Sequence, residues 1–157
     1  MKVYLYNYKA RLASYEKRLI ESDMCDENKQ AILKFKQFLV VGNYSLPRIA
    51  KYFEILTMVN DLVGKPFTAY NSDDIYKLIL NLQNKEVTES TKVTYYAILK
   101  RFFKWYMGNE ESYPDFVKRL PTQVKRTDKK LPNEGELLTE VEVKKLIEKE
   151  IIDLNLK

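Results

Sequence analysis

Apolar residues recur along this chain with helical periods. Leu5, Tyr8, Leu12, Tyr15 and Leu19 alternate between spacings of three and four, which places them on one stripe of a helix. Two heptads are too few for a self-sufficient coiled coil, so this stripe needs cover from the rest of the chain or from a partner. A second helix is expected from near Asp26, with Ile32, Phe35, Phe38 and Leu39 facing inward. Gly42 is expected to stop it in a left-handed conformation. Ser45 then reads as an N-cap, with Pro47 in the first turn, where a missing N–H is harmless. Ile49, Phe53, Leu56, and Val59 or Val63, carry that third helix inward as far as Gly64.

Ser72 reads as the cap of a shorter helix whose first turn holds Asp73 and Asp74, complementing the helix dipole. Its inward positions are Ile75, Leu78, Ile79 and Leu82. Thr88 opens a long helix that runs to Gly108, with an aromatic seam on one side and basic residues on the other. Pro114 opens a short helix over 115–120, closed by Pro121. Residues 123–135 are charged, poor in apolar positions and broken by Pro132 and Gly135, the composition of a linker. Thr139 and Glu142 then have the spacing of a capping box ahead of Val143, Leu146, Ile147 and Ile151.

No segment alternates with period two, and no repeat is evident. The expected fold is all-α. It is a small bundle of four to five helices with an extra N-terminal helix and an orphan helix at the C-terminal end.

Charge sharpens this picture. The net +5 is uneven: residues 1–22 carry +3, 23–87 are neutral, 88–131 carry +5, and 132–157 carry −3. A localised basic stretch is the footprint of a nucleic-acid binder, though a solvated lysine-rich surface has the same composition. There is no histidine, which removes the commonest general base and metal ligand. The single cysteine, Cys25, cannot build a disulfide framework or a zinc site, and a reducing cytoplasm is the expected compartment. No run of 18 apolar residues exists, so no membrane partner is expected. No cofactor is expected either.

Four motifs, in order, resemble one family. Ser45-Leu46-Pro47-Arg48-Ile49-Ala50-Lys51-Tyr52 is similar to the S-x-x-T-I-x-x-Y opening of the second helix in core-binding domains of tyrosine recombinases of the phage-integrase or Xer type, with Arg48 in place of the usual Thr. Asp74-Ile75 resembles the start of that family's third helix. Ser90-Thr91 followed by Leu99-Lys100-Arg101-Phe102-Phe103-Lys104-Trp105 resembles its S-x-x-T and L-R-x-F-F-x-W-L signature, with the Ser/Thr spacing altered. Leu131-Pro132 and residues 138–147 resemble its lead-in to the catalytic domain.

The resemblance covers roughly residues 26–150. It implies an accessory helix over 1–22, a SAM-like core-binding domain over 23–121, a basic interdomain linker over 122–137, and the start of a catalytic domain over 138–157. The chain stops within that domain's first helix, as a piece of a longer recombinase or a naturally shortened one would. Without His, and without Arg beyond Arg126, the family's catalytic set around a tyrosine nucleophile cannot be completed, so no strand cleavage is expected.

The resemblance makes double-stranded DNA the expected partner. Its phosphates would meet Ser45, Arg48 and Lys51 from the third helix, and Thr91, Lys92, Thr94, Lys100, Arg101 and Lys104 from the long helix. Tyr95 would reach a base edge or thymine methyl, and Lys125, Arg126, Lys129 and Lys130 would follow the backbone from the linker. Phe102, Phe103 and Trp105 are expected in the core. Two other functions fit the residues. One is a helical interaction module that docks on other recombinase protomers through its N-terminal or C-terminal helix. The other is a standalone helix-turn-helix-like regulator, for which the Gly42 to Ser45 connection is short enough.

Overall fold

The computed structural model describes residues 7–108, 111–124 and 139–155, with side chains as far as 147 in the last helix. The helices are α1 (Tyr8–Glu21), α2 (Asp26–Val41), α3 (Leu46–Val63), α4 (Ser72–Asn84), α5 (Glu89–Tyr106), α6 (Asp115–Lys118) and α7 (Glu140–Asn155), with a 3-10 turn at Phe67–Ala69. Among the described residues there is no strand. The chain divides into two compact units, Met1–Val124 and Lys125–Lys157.

The first unit is built around α3, which touches α1, α2, α4 and α5. Its buried side chains lie on several sides of the helix: Ile49, Ala50, Tyr52, Phe53, Ile55, Leu56, Val59 and Asn60. The N-terminal stripe lies against α3, with Leu12 and Leu19 buried and Tyr8 and Tyr15 partly so. The helix read as an accessory therefore packs inside this unit. Lys36 pairs with Glu16 and ties α2 to α1 as well. Leu5 lies outside the described residues.

Aromatic rings fill the centre. Phe35, Phe67, Phe102 and Phe103 are almost wholly buried. Phe67 meets Phe102 edge-on at 4.9 Å and Phe35 meets Phe102 at 5.2 Å, the T-shaped contacts that ring quadrupoles favour. Phe67 belongs to the 3-10 turn, an element the sequence pattern did not anticipate. The turn is pinned by Asn28, whose amide nitrogen donates to Asn60 Oδ1 (2.7 Å) and to the Lys65 carbonyl (3.0 Å), while its oxygen accepts from the Phe67 N–H (2.8 Å).

Two helix ends differ from expectation. At the end of α2, Gly42 is right-handed with φ −75°, and Asn43 takes the left-handed position with φ +57°. The N–H of Asn43 bonds the Val40 carbonyl and that of Tyr44 bonds the Leu39 carbonyl, a Schellman motif with Asn at the position where Gly is commonest. Gly42 is used for space. A Cβ there would lie 3.1 Å from the Tyr44 ring. At the start of α4, Asn71 is the cap in place of Ser72. Its side chain accepts from Asp73 and Asp74, and Asp74 bonds back to the Asn71 N–H. The longer amide side chain reaches the N3 amide and completes a reciprocal box, leaving Ser72 as the first helical residue.

Thr88 caps α5 through the Thr91 N–H as expected, and Gly64 ends α3 in the left-handed region at φ +71°. In the second unit, Thr139 and Glu142 form the expected reciprocal capping box of α7. Val141, Val143, Leu146 and Ile147 on α7 are exposed.

Candidate nucleic-acid interface

The Schellman turn after α2 delivers Tyr44 and Ser45 to the start of α3. Ser45 sits at the N-cap, exposed, and its side chain makes no capping hydrogen bond. Arg48, Lys51 and Tyr52 follow at spacings of three and four and so share a face with Tyr44. On α5 the outward face contains Val93, Thr94, Ala97 and Arg101 by the same spacing. These two faces enclose a groove of about 510 Å³, with Ile98 at its floor and Thr122 at its edge. A second groove of similar size shares Arg101 and adds Phe38, Lys104, Trp105 and Gly108. Among the described residues, the linings of the two grooves contain four cations, Arg48, Lys51, Arg101 and Lys104, and no carboxylate.

Aromatic rings support these cations. The Arg48 guanidinium lies 4.8 Å from the Tyr44 ring centre and Arg101 5.3 Å from that of Phe38. Lys51 Nζ lies 5.5 Å from Tyr95 and Lys104 Nζ 5.0 Å from Tyr113. Ring faces attract a cation without neutralising it, so the positive potential of the groove is kept. Lys51 is also paired with Glu54 at 3.0 Å, which reduces its share of that potential. Arg101 Nε is buried and has no hydrogen-bond partner among the described residues. Tyr52 is buried between the helices, and burial pushes its phenol above the ordinary value. Charge from Arg48 and Arg101 acts in the opposite sense.

The sequence-derived candidates separate into three groups. Arg48, Lys51, Thr94 and Arg101 come together in the first groove, and Lys104 lies in the second. Tyr95 is half-buried beneath Lys51, and the Thr94 hydroxyl donates to the Ser90 carbonyl of its own helix.

The next group is occupied elsewhere. Thr91 is bonded to Thr88 in the cap of α5. Lys92 has a side chain only 13% exposed and pairs with Glu89 at 2.7 Å, outside both grooves. Lys100 donates to the carbonyls of Lys118 (3.1 Å) and Leu120 (3.2 Å), closing the end of α6. Each of these three makes a local contact outside the two grooves.

Lys125, Arg126, Lys129 and Lys130 lie outside the described residues. The groove also contains residues that sequence reasoning passed over: Tyr44, Tyr52, Ala97 and Thr122. The i, i+4 succession of Tyr44, Arg48 and Tyr52 was the available signal for two of them. Phe102 and Phe103 are core residues as expected, while Trp105 is partly buried and lines the second groove.

Among the described residues no cluster of three or more His, Cys, Asp or Glu side chains is placed to hold a metal ion. No described helix is long and apolar enough to cross a membrane. Comparison of the chain with known protein families, with curated proteins and with solved structures finds no match.

Proposed function

We propose that this chain binds duplex DNA through the paired grooves of α3 and α5, as the non-catalytic N-terminal clamp domain of a tyrosine recombinase. The observation that carries this reading is the lining around Arg48, Lys51, Arg101 and Lys104, which among the described residues holds no carboxylate. Four cations fixed on two rigid helices match a phosphate backbone better than a small ligand, because the surface is open and elongated across two adjoining grooves. Backbone contacts of this kind set position and affinity, with sequence read by few side chains.

The helix-turn-helix alternative requires α3 to insert as a recognition helix. Its eight buried residues leave mainly the first turn and the Arg48–Lys51 face to enter a groove of DNA. The interaction-module alternative is favoured by one observation, the exposed Val143, Leu146 and Ile147 on α7.

The test is a titration of the full chain with a short generic duplex, followed by amide chemical shifts at low and moderate salt. Three to four neutralised phosphates give a loss of roughly 40- to 150-fold in affinity between about 50 and 200 mM salt. Shifts should cluster at residues 44–52 and 94–104. Shifts confined to α1 and α7, or none at low salt, would refute duplex binding by this face.

A further inference from the structure

Arg48 and Arg101 belong to different helices, yet both line one groove together with the buried Tyr52. Two guanidiniums lining one groove repel each other unless an anion balances them. Among the described residues neither is paired with a carboxylate. The rings of Tyr44 and Phe38 hold the two groups in place but carry no negative charge. Arg101 Nε is in addition a buried donor with no acceptor among the described residues. Uncompensated charge from two helices at one groove calls for one compact, multivalent acceptor.

We infer that Arg48 and Arg101 together grip a single phosphate group. This rests on the duplex reading, which makes the DNA backbone the source of the phosphate. A phosphate presents several acceptor oxygens, and the guanidinium fork binds such oxygens in pairs. Lys51 and Lys104, in the first and second grooves, then meet neighbouring phosphates separately. The pocket thus fixes the register of the backbone, because one phosphate must sit at the junction of α3 and α5.

The experiment counts phosphates. Each neutralised phosphate contributes about 0.9 to the slope of log affinity against log salt. Arg48→Gln, Arg101→Gln and the double variant are compared with wild type on one duplex, using the full chain. Shared grip on one phosphate predicts that the double variant lowers the slope by about one, no more than a single phosphate accounts for. The affinity losses should be sub-additive, with the second substitution costing several-fold less than the first. A slope loss near two with additive effects would overturn the shared pocket. So would unchanged binding in both single variants. Arg101→Lys, which keeps the charge and loses the fork, should retain the slope and lose affinity. It also serves if Arg101→Gln does not fold.

If the wild-type chain does not bind duplex at low salt, the duplex reading falls and inorganic phosphate becomes the probe. Saturable shifts at 44–52 and 94–101 that Arg48→Gln and Arg101→Lys remove would keep the pocket and assign it to a free phosphorylated molecule. Their absence would overturn it.

Discussion

Asn28 is a polar residue in the middle of an apolar core, with its side chain fully enclosed. Replacing it with Ala deletes three hydrogen bonds at once: two donated, to Asn60 Oδ1 and the Lys65 carbonyl, and one accepted from the Phe67 N–H. Each bond contributes about 1 kcal/mol net, and a buried group left unpaired costs about 1–3 kcal/mol. The Lys65 carbonyl lies in a part-buried setting and can recover water, whereas the Phe67 N–H sits beneath a fully buried ring. The expected loss is therefore about 3 kcal/mol, a large share of the 5–15 kcal/mol that holds a domain of this size. With a urea dependence of about 1.5 kcal/mol per molar, the unfolding midpoint should fall by about 2 M. The assay is urea unfolding followed by circular dichroism on the full chain. A shift below about 0.5 M with an unchanged slope would show that the 3-10 turn does not depend on Asn28.

Three further outcomes are expected. Leu19→Ala, at a position 2% exposed in α1, should cost about 3 kcal/mol in the same assay; a loss near zero would make α1 a detachable appendage. Asn71→Ala should cost about 1 kcal/mol and Ser72→Ala almost nothing, because the capping box of α4 is built on Asn71; equal losses would refute that assignment. Burial, followed by a hydrogen bond to Glu27, pushes the Tyr106 phenol up to about 12. The unfolded phenol ionises near 10, so the stability Tyr106 supplies is whole below pH 10 and is lost as pH rises from 10 towards 12. Urea midpoints measured at pH 9, 10 and 11 should fall less steeply in Tyr106→Phe than in wild type, and identical slopes would contradict the shift.

Helix positions were legible because apolar residues recur at helical spacing, and Ile32, Phe35, Ile49, Phe53, Ile75 and Leu78 are buried as that spacing requires. Caps were less legible. Asn71 and Ser72 are both good cap residues, and only the reach of the Asn71 side chain to Asp74 separates them. Gly42 and Asn43 both tolerate the left-handed region, and the choice between them depends on the Tyr44 ring, which contacts Gly42 from two residues away. The 3-10 turn was hidden because three residues show no period, and Phe67 is held there by Asn28 from a distant helix.

At the candidate interface, Arg48, Lys51, Thr94 and Arg101 could be chosen by charge and helix face. Lys92 and Lys100 could not be distinguished from them in the sequence. The Glu89 carboxylate and the carbonyls closing α6 give them local partners, and the latter come within reach only when α6 folds back on α5.

The enclosure of α3 has a consequence for how a ligand is met. Arg48 and Lys51 project from the helix that is gripped on most sides by α1, α2, α4 and α5. Their backbone positions are therefore settled when the unit folds, and little backbone disorder remains to be lost on association. A wall anchored in this way cannot mould itself to a partner. In the proposed function it selects by fit, accepting a backbone whose phosphates already have the right spacing and rejecting one that would need the protein to move.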